Sequence, residues 1–187
     1  EGDGDPPLRK NHAMAYDFAR EKVVLFGGMT TSGPGVGEYT RIGDTWEYDG
    51  ESWAKVVPET PEAGGSPSAR NIHAMAFDPR VNKVLLFGGE SGDQSSPVKE
   101  TDTWLYDGAS WEETNLVTPA VYPTGSRGGA MAFSAGEGKI LHFGGVNASN
   151  AHTAELWEWT GTAWTLLSGR IGPPPRSYAT LSAGAGK

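Results

Sequence analysis

Short apolar blocks, each closed by a double glycine, mark out this chain. Lys22–Gly28 reads KVVLFGG, Lys83–Gly89 reads KVLLFGG and Lys139–Gly145 reads KILHFGG. A brief continuous apolar run between turn residues predicts a strand buried on both faces. Its length and its Gly-Gly end both argue against helix. A second block alternates. In Asp44–Gly50 (DTWEYDG), Trp46 and Tyr48 stand two residues apart and so share one strand face. Asp49-Gly50 then predicts a turn that uses positive φ. Trp53 follows on the return strand and is expected opposite Tyr48, an aromatic cross-strand pair worth roughly 0.2–1 kcal/mol.

Each block occurs three times. HAMAYD (His12–Asp17), HAMAFD (His73–Asp78) and GAMAFS (Gly129–Ser134) open the unit. The glycine-ended runs follow. DTWEYDG, DTWLYDG (Asp102–Gly108) and ELWEWTG (Glu155–Gly161) come next, and Trp53, Trp111 and Trp164 complete it. The distance from the first-element Ala to the Phe before Gly-Gly is 13 residues in all copies, and the two Trp are always 7 apart. From that Phe to the first Trp the gap shrinks from 20 to 17 to 14. Constant gaps predict tight hairpins and variable gaps predict loops. Four short antiparallel strands per unit of about 50 residues make one blade of a propeller.

Composition agrees with many turns and short strands: 27 Gly, 13 Pro and seven Trp among 187 residues. The net charge of −8, with 15 scattered Lys and Arg, argues against a nucleic-acid partner. The chain has no Cys, which excludes disulfides and Cys-ligated metals. No apolar run approaches the length of a membrane span. The first ten residues hold no signal-peptide core, so the protein is intracellular or a leader has been removed.

The FGG, the Trp-x-Tyr-Asp-Gly and the Trp that follows resemble the kelch repeat, over residues 9–187. The resemblance implies an all-β kelch-type propeller. Three four-stranded antiparallel blades are expected at about 9–58, 70–118 and 127–168, followed by the first strand of a fourth at 174–187. Kelch blades usually close into rings of six or seven, so the chain is read as a fragment of such a ring. The alternative is closure by a second copy. SAGAGK at Ser182–Lys187 repeats SAGEGK at Ser134–Lys139, where a second strand follows. His142 stands where the other copies carry Leu, an odd residue for an apolar strand.

The variable loops, Met29–Gly43, Glu90–Thr101 and Val146–Ala154, join strands two and three and emerge on one face. Loops on a rigid scaffold are where binding residues concentrate, and in kelch relatives that face commonly binds proteins or small ligands. Tyr39, Arg41, Asp93, Lys99, Asn147 and His152 are the binding candidates; each is otherwise an ordinary solvated loop residue. Gly27, Gly28, Gly88, Gly89, Gly144 and Gly145, with Trp46, Trp53, Trp104, Trp111, Trp157 and Trp164, are read as structural. Arg9, Arg70, Arg127 and Arg176 recur near strand one, with Asp44 and Asp102 as natural partners. His12 and His73 are read as packing residues.

No catalytic residue, cofactor or metal is expected. His142 and His152 lack zinc-ligand spacing, and four scattered His give no triad. Galactose-oxidase-like enzymes need a Tyr–Cys link that this segment cannot make. The leading expectation is a non-enzymatic binding or scaffold module whose partners are further blades or another copy, and a protein or small ligand. The resemblance is to kelch domains of large bacterial secreted or surface proteins, with a cytoplasmic setting as the alternative. Rival classes are an enzyme, such as an oxidase or sugar isomerase, with catalytic residues in other blades, and a structural repeat of an extracellular assembly.

Overall fold

The computed structural model describes residues 4–31, 39–57, 65–114, 121–167 and 172–182. Every element among them is a strand. β1 (Ala13–Asp17) and β2 (Lys22–Phe26) form the first hairpin. β3 (Met29–Thr31) and β4 (Tyr39–Arg41) pair with each other, and β5 (Thr45–Tyr48) and β6 (Trp53–Val57) complete the first blade. The second unit repeats this with β7 (Ala74–Asp78), β8 (Lys83–Phe87), β9 (Glu90–Gly92), β10 (Pro97–Lys99), β11 (Thr103–Tyr106) and β12 (Trp111–Glu113). The third has β13 (Ala130–Ser134), β14 (Lys139–Phe143), β15 (Leu156–Trp159) and β16 (Trp164–Leu166). The three four-stranded sheets run β1-β2-β5-β6, β7-β8-β11-β12 and β13-β14-β15-β16, all antiparallel. β7 packs between β1 and β13, so the first strands lie side by side along the inner edge. Two of the variable loops are therefore not free coil: β3–β4 and β9–β10 are short hairpins.

The aromatic pairs are where alternation puts them. Tyr48 lies opposite Trp53, Tyr106 opposite Trp111 and Trp159 opposite Trp164, with ring centroids 5.0–5.3 Å apart. The turn between them is closed by Asp49 and Asp107, whose Oδ1 atoms each accept two backbone N–H bonds. In the third blade Thr160 Oγ1 accepts from the Ala163 amide and donates to its carbonyl. A hydroxyl thus does there what the aspartate does elsewhere.

The double glycine is a joint between blades. Its second residue donates its amide to the connector of the following blade: Gly28 to Arg70 O (2.8 Å), Gly89 to Ser126 O (2.7 Å) and Gly145 to Arg176 O (2.8 Å). Its first residue lies against the same carbonyl. A Cβ at Gly27, Gly88 or Gly144 would sit 2.6, 2.1 or 2.5 Å from that oxygen, and all three have positive φ. A second chain of bonds runs along the inner edge, from Ile72 N to Asn11 O, Gly128 N to Ile72 O and Tyr178 N to Gly128 O. Residues 172–182 carry no strand, but Arg176 and Tyr178 dock on the third blade as earlier connectors dock on theirs. Ala183–Lys187, most of the SAGAGK motif, lie outside the described residues.

Each blade interface is a separate apolar core. Ala15, Val24 and Phe26 meet Met75, Phe77, Val84, Leu86, Trp104 and Trp111. Ala76, Leu85 and Phe87 meet Met131, Ile140, Trp157, Trp159 and Trp164 in the next. His142 belongs to this second core and is explained by Gly129. In the first interface the His73 ring stands edge-on to Phe26, centroids 5.5 Å apart. In the second the His142 ring stands edge-on to Phe87, 5.2 Å apart. Gly129 occupies the strand position of His73, and a Cβ there would lie 2.2 Å from His142 Nε2. The imidazole has moved from strand one to strand two, and the glycine leaves it room.

The repeated arginine is a clamp, with one correction. Arg9 forks onto Asp44 (2.5 and 3.0 Å) and Arg70 onto Asp102 (2.5 and 2.8 Å). Each also bonds the carbonyl of the first joint glycine at 3.0 Å. Burial works to raise the Asp44 carboxyl, yet the hydrogen bonds from Arg9 and Trp46 outweigh it and hold it below the usual carboxylate range. Arg127 is not the third member. The connector carbonyl received by the second joint glycine belongs to Ser126, so Arg127 lies one residue past the clamp position. The carboxylate there, Glu155, accepts instead from the backbone N–H and hydroxyl of Thr124.

Three outcomes are expected. Asp102→Ala strands the buried Arg70 and should cost about 3–5 kcal/mol in denaturant unfolding, whereas Glu112→Ala, partner of the surface Lys83, should stay within about 0.5 kcal/mol. Gly129→Ala should be destabilising by about 1–3 kcal/mol in the natural background and much less so beside His142→Leu; an equal cost in both backgrounds would refute the exchange. Burial, aided at His73 by Arg70, pushes the imidazoles of His73 and His142 down to about 3. Their stability contribution is complete above the free value of 6.5 and is lost as pH falls towards 3, because the unfolded chain takes up protons that the folded chain refuses. Stability should fall by roughly 1 kcal/mol per pH unit per histidine over that window, and His73→Phe should flatten the slope measured between pH 6.5 and 5.

Candidate functional site

The joint fixes where side chains stand on the loop face. Three isolated bridges repeat there: Lys10 to Met29, Asn71 to Glu90 and Arg127 to Val146. On the far side of each, Met29 pairs with Arg41, Glu90 with Lys99 and Val146 with His152. Two rows of equivalent positions result. One holds Lys10, Asn71 and Arg127; the other holds Arg41, Lys99 and His152. Both are basic or polar in a chain whose net charge is −8.

The rows are stitched across blades. Arg41 donates from Nε to Asn71 (3.2 Å), from Nη1 to the Gly92 carbonyl (2.9 Å) and from Nη2 to Glu90 Oε1. Glu90 Oε2 accepts from Arg127 Nη1 at 2.5 Å, and Arg127 Nη2 bonds Asn150 at 2.6 Å. Lys99 reaches the Ala148 carbonyl (2.6 Å) and Asn150 (3.0 Å). Lys10 Nζ lies 3.9 Å over the Tyr39 ring, a cation–π contact. Arg127 Nε is buried with no hydrogen-bond partner among the described residues.

The six candidates divide. Tyr39, Arg41 and Asp93 line one concavity of about 400 Å³ between the first and second blades, floored by Ser68, Ala69 and Ser91. Tyr39 also borders a second hollow of about 280 Å³ with Lys10 and Met29. Asp93 spends Oδ1 on its own turn, accepting from the amides of Ser95 and Ser96. Those bonds, with the Ser95 hydroxyl foremost, hold its carboxyl below the ordinary range. Asn147 Oδ1 accepts from the amides of Ser149 and Ala151, so it shapes its loop. Lys99 is drawn onto the third-blade loop, and His152 stands exposed at the end of its row.

The sequence reading missed Lys10, Glu90 and Arg127 as members of this face. The signal was present in the register: Lys10 and Asn71 both stand two residues before the strand-one histidine. The single-residue offset of Arg127 hid it among the clamp arginines. No group of three or more metal-ligating side chains occurs among the described residues.

The sequence matches the family described as the KLHDC2/KLHL20/DRC7 Kelch-repeats domain over residues 1–186. It is 29% identical over 195 residues to the host cell factor of Drosophila melanogaster, a match that covers 93% of this chain and 12% of that protein. It is 34% identical over 86 residues to dynein regulatory complex subunit 7 of Chlamydomonas reinhardtii, covering 46% of this chain and 7% of the other. Among solved structures, that of YjhT superimposes with a TM-score of 0.62 at 15% identity, over 88% of this chain and 54% of the other. The chain therefore spans a small part of these curated relatives and about half of that solved chain. The family match, the three repeated sheets and the glycine joints agree: the chain belongs to the kelch-repeat family and forms part of a β-propeller.

Proposed function

We propose that this chain is a non-enzymatic protein-interaction module that receives an acidic segment of a partner on the loop face. One observation carries the reading: the two rows that cross the blades on that face hold Lys10, Arg41, Lys99 and Arg127, with Glu90 between Arg41 and Arg127 and Asp93 beside Arg41. A basic patch on an acidic protein steers an oppositely charged partner and disfavours others. Tyr39 and the hollow beside it supply an apolar platform next to the charges. Membership of the kelch family supports protein binding as the class of activity.

The proposal extends to setting. The module is part of a larger protein, a view supported by the length of its relatives. A secreted or surface location is carried by the resemblance to such kelch proteins alone, and fractionation of the native cells tests it. A labelled hexaglutamate peptide serves as probe for the face. Its binding should weaken as salt rises, and Arg127→Glu should reduce affinity at least tenfold without altering the fold. Unchanged affinity in that variant would overturn the assignment.

A further inference from the structure

The larger hollow, between the first and second blades, is not built for an anion. Arg41 stands in its wall, but each of its three nitrogens already donates: Nε to Asn71, Nη1 to the Gly92 carbonyl and Nη2 to Glu90. An incoming carboxylate meets no unengaged nitrogen there, and Asp93, which lines the same hollow, repels it. What Arg41 still offers is its flat face, the part of a guanidinium that stacks on aromatic rings. The floor hydroxyls are spent as donors too. Ser68 gives its proton to Glu100 Oε1 at 3.1 Å, and Ser91 gives its own to the same oxygen.

Tyr39 supplies a second flat face. Lys10 lies 3.9 Å over the Tyr39 ring and lines only the smaller hollow, so the other side of the ring borders the larger one. Tyr39 and Arg41 stand two residues apart on β4 and share a strand face. Their stems are therefore roughly 7 Å apart, a spacing that admits one flat ring in contact with both. The polar requirement comes from Asp93. Its Oδ1 accepts from the amides of Ser95 and Ser96 and from the Ser95 hydroxyl (2.7 Å), while Oδ2 has no partner among the described residues. The hollow thus offers flat faces and a free carboxylate oxygen.

We propose that this hollow receives an aromatic side chain that carries its own N–H or O–H, a tryptophan or tyrosine of the partner's acidic segment. The ring lies between Tyr39 and Arg41, and its donor meets Asp93 Oδ2. Indoles inside the fold are satisfied by side-chain oxygens in the same way. Trp46 and Trp104 donate to Asp44 and Asp102 at 2.6 Å, and Trp111 and Trp164 donate to the hydroxyls of Thr45 and Thr103 at 2.9 and 3.0 Å. An aliphatic side chain would leave both the stacking faces and the acceptor unused. The acidic residues of the segment then fall to Lys99 and Arg127, outside the hollow.

The proposal rests on the acidic-segment reading for its partner, though not for the hollow itself. On the full-length protein, hexaglutamate extended at either end by Trp is compared with the same peptide extended by Leu. From one end the Trp peptide should bind about fivefold tighter. That ratio should fall to near unity in Tyr39→Ala, and by about half in Asp93→Ser, whose hydroxyl still closes the turn. Reading a ratio cancels any general effect of charge. Equal affinity for the Trp and Leu peptides at both ends, or a ratio that either substitution leaves intact, would overturn the proposal. Should hexaglutamate itself fail to bind, the acidic-segment reading falls and the hollow is tested alone, by saturation-transfer NMR with N-acetyltryptophanamide. Transfer to the indole should be clear with the native protein and largely lost with Tyr39→Ala; no transfer, or equal transfer from both, would sink the assignment.

Discussion

The molecule depends on a carbonyl pressed into a double glycine. At each joint the connector to the next blade lays one backbone oxygen against the first glycine and accepts the amide of the second. No side chain fits there: the space a Cβ needs is already filled, and the backbone is left-handed at both residues. The joint fixes the distance between neighbouring blades to within a hydrogen bond. The apolar cores, the indole-to-threonine bonds and the arginine clamps then close around a spacing already set. Blades in such arrays are not independently stable, so the joint couples their stabilities as well as their geometry.

The same joint explains how the loop face comes to be ordered. The residue after the second glycine, Met29, Glu90 or Val146, starts the loop in a fixed register against the connector. That register puts Lys10 and Arg127 in one row and Arg41 and Lys99 in the other. Glu90 sits between Arg41 and Arg127 and ties the second blade to both neighbours. The basic face is thus a product of the scaffold as much as of its loops, and variation there changes charge without moving the backbone.

Much of this was legible from the residues. Constant spacings gave the hairpins, and alternation in DTWEYDG placed Tyr48 against Trp53. What was not legible depended on contacts between blades. The role of His142 is visible only once Gly129 is seen to vacate the same space. Arg127 looked like a clamp arginine because sequence spacing near a connector slips by one residue at no visible cost; the hydrogen bond to Ser126 O settles the register. Of the six loop candidates, the structure gathers Tyr39, Arg41 and Asp93 around one concavity, while Asn147 folds back on its own loop. Periodicity cannot tell a loop residue that faces outward from one that closes its own turn.

The central claim is that the glycine joint, and not the loops around it, sets the blade spacing. Amide hydrogen exchange at Gly28 and Gly89 measures this most directly, because each donates its N–H to the following blade. The account predicts protection equal to that of the central strands β8 and β11, lost only with global unfolding. Exchange as fast as that of the exposed turn glycine Gly50 would contradict it and place the blade-to-blade linkage elsewhere.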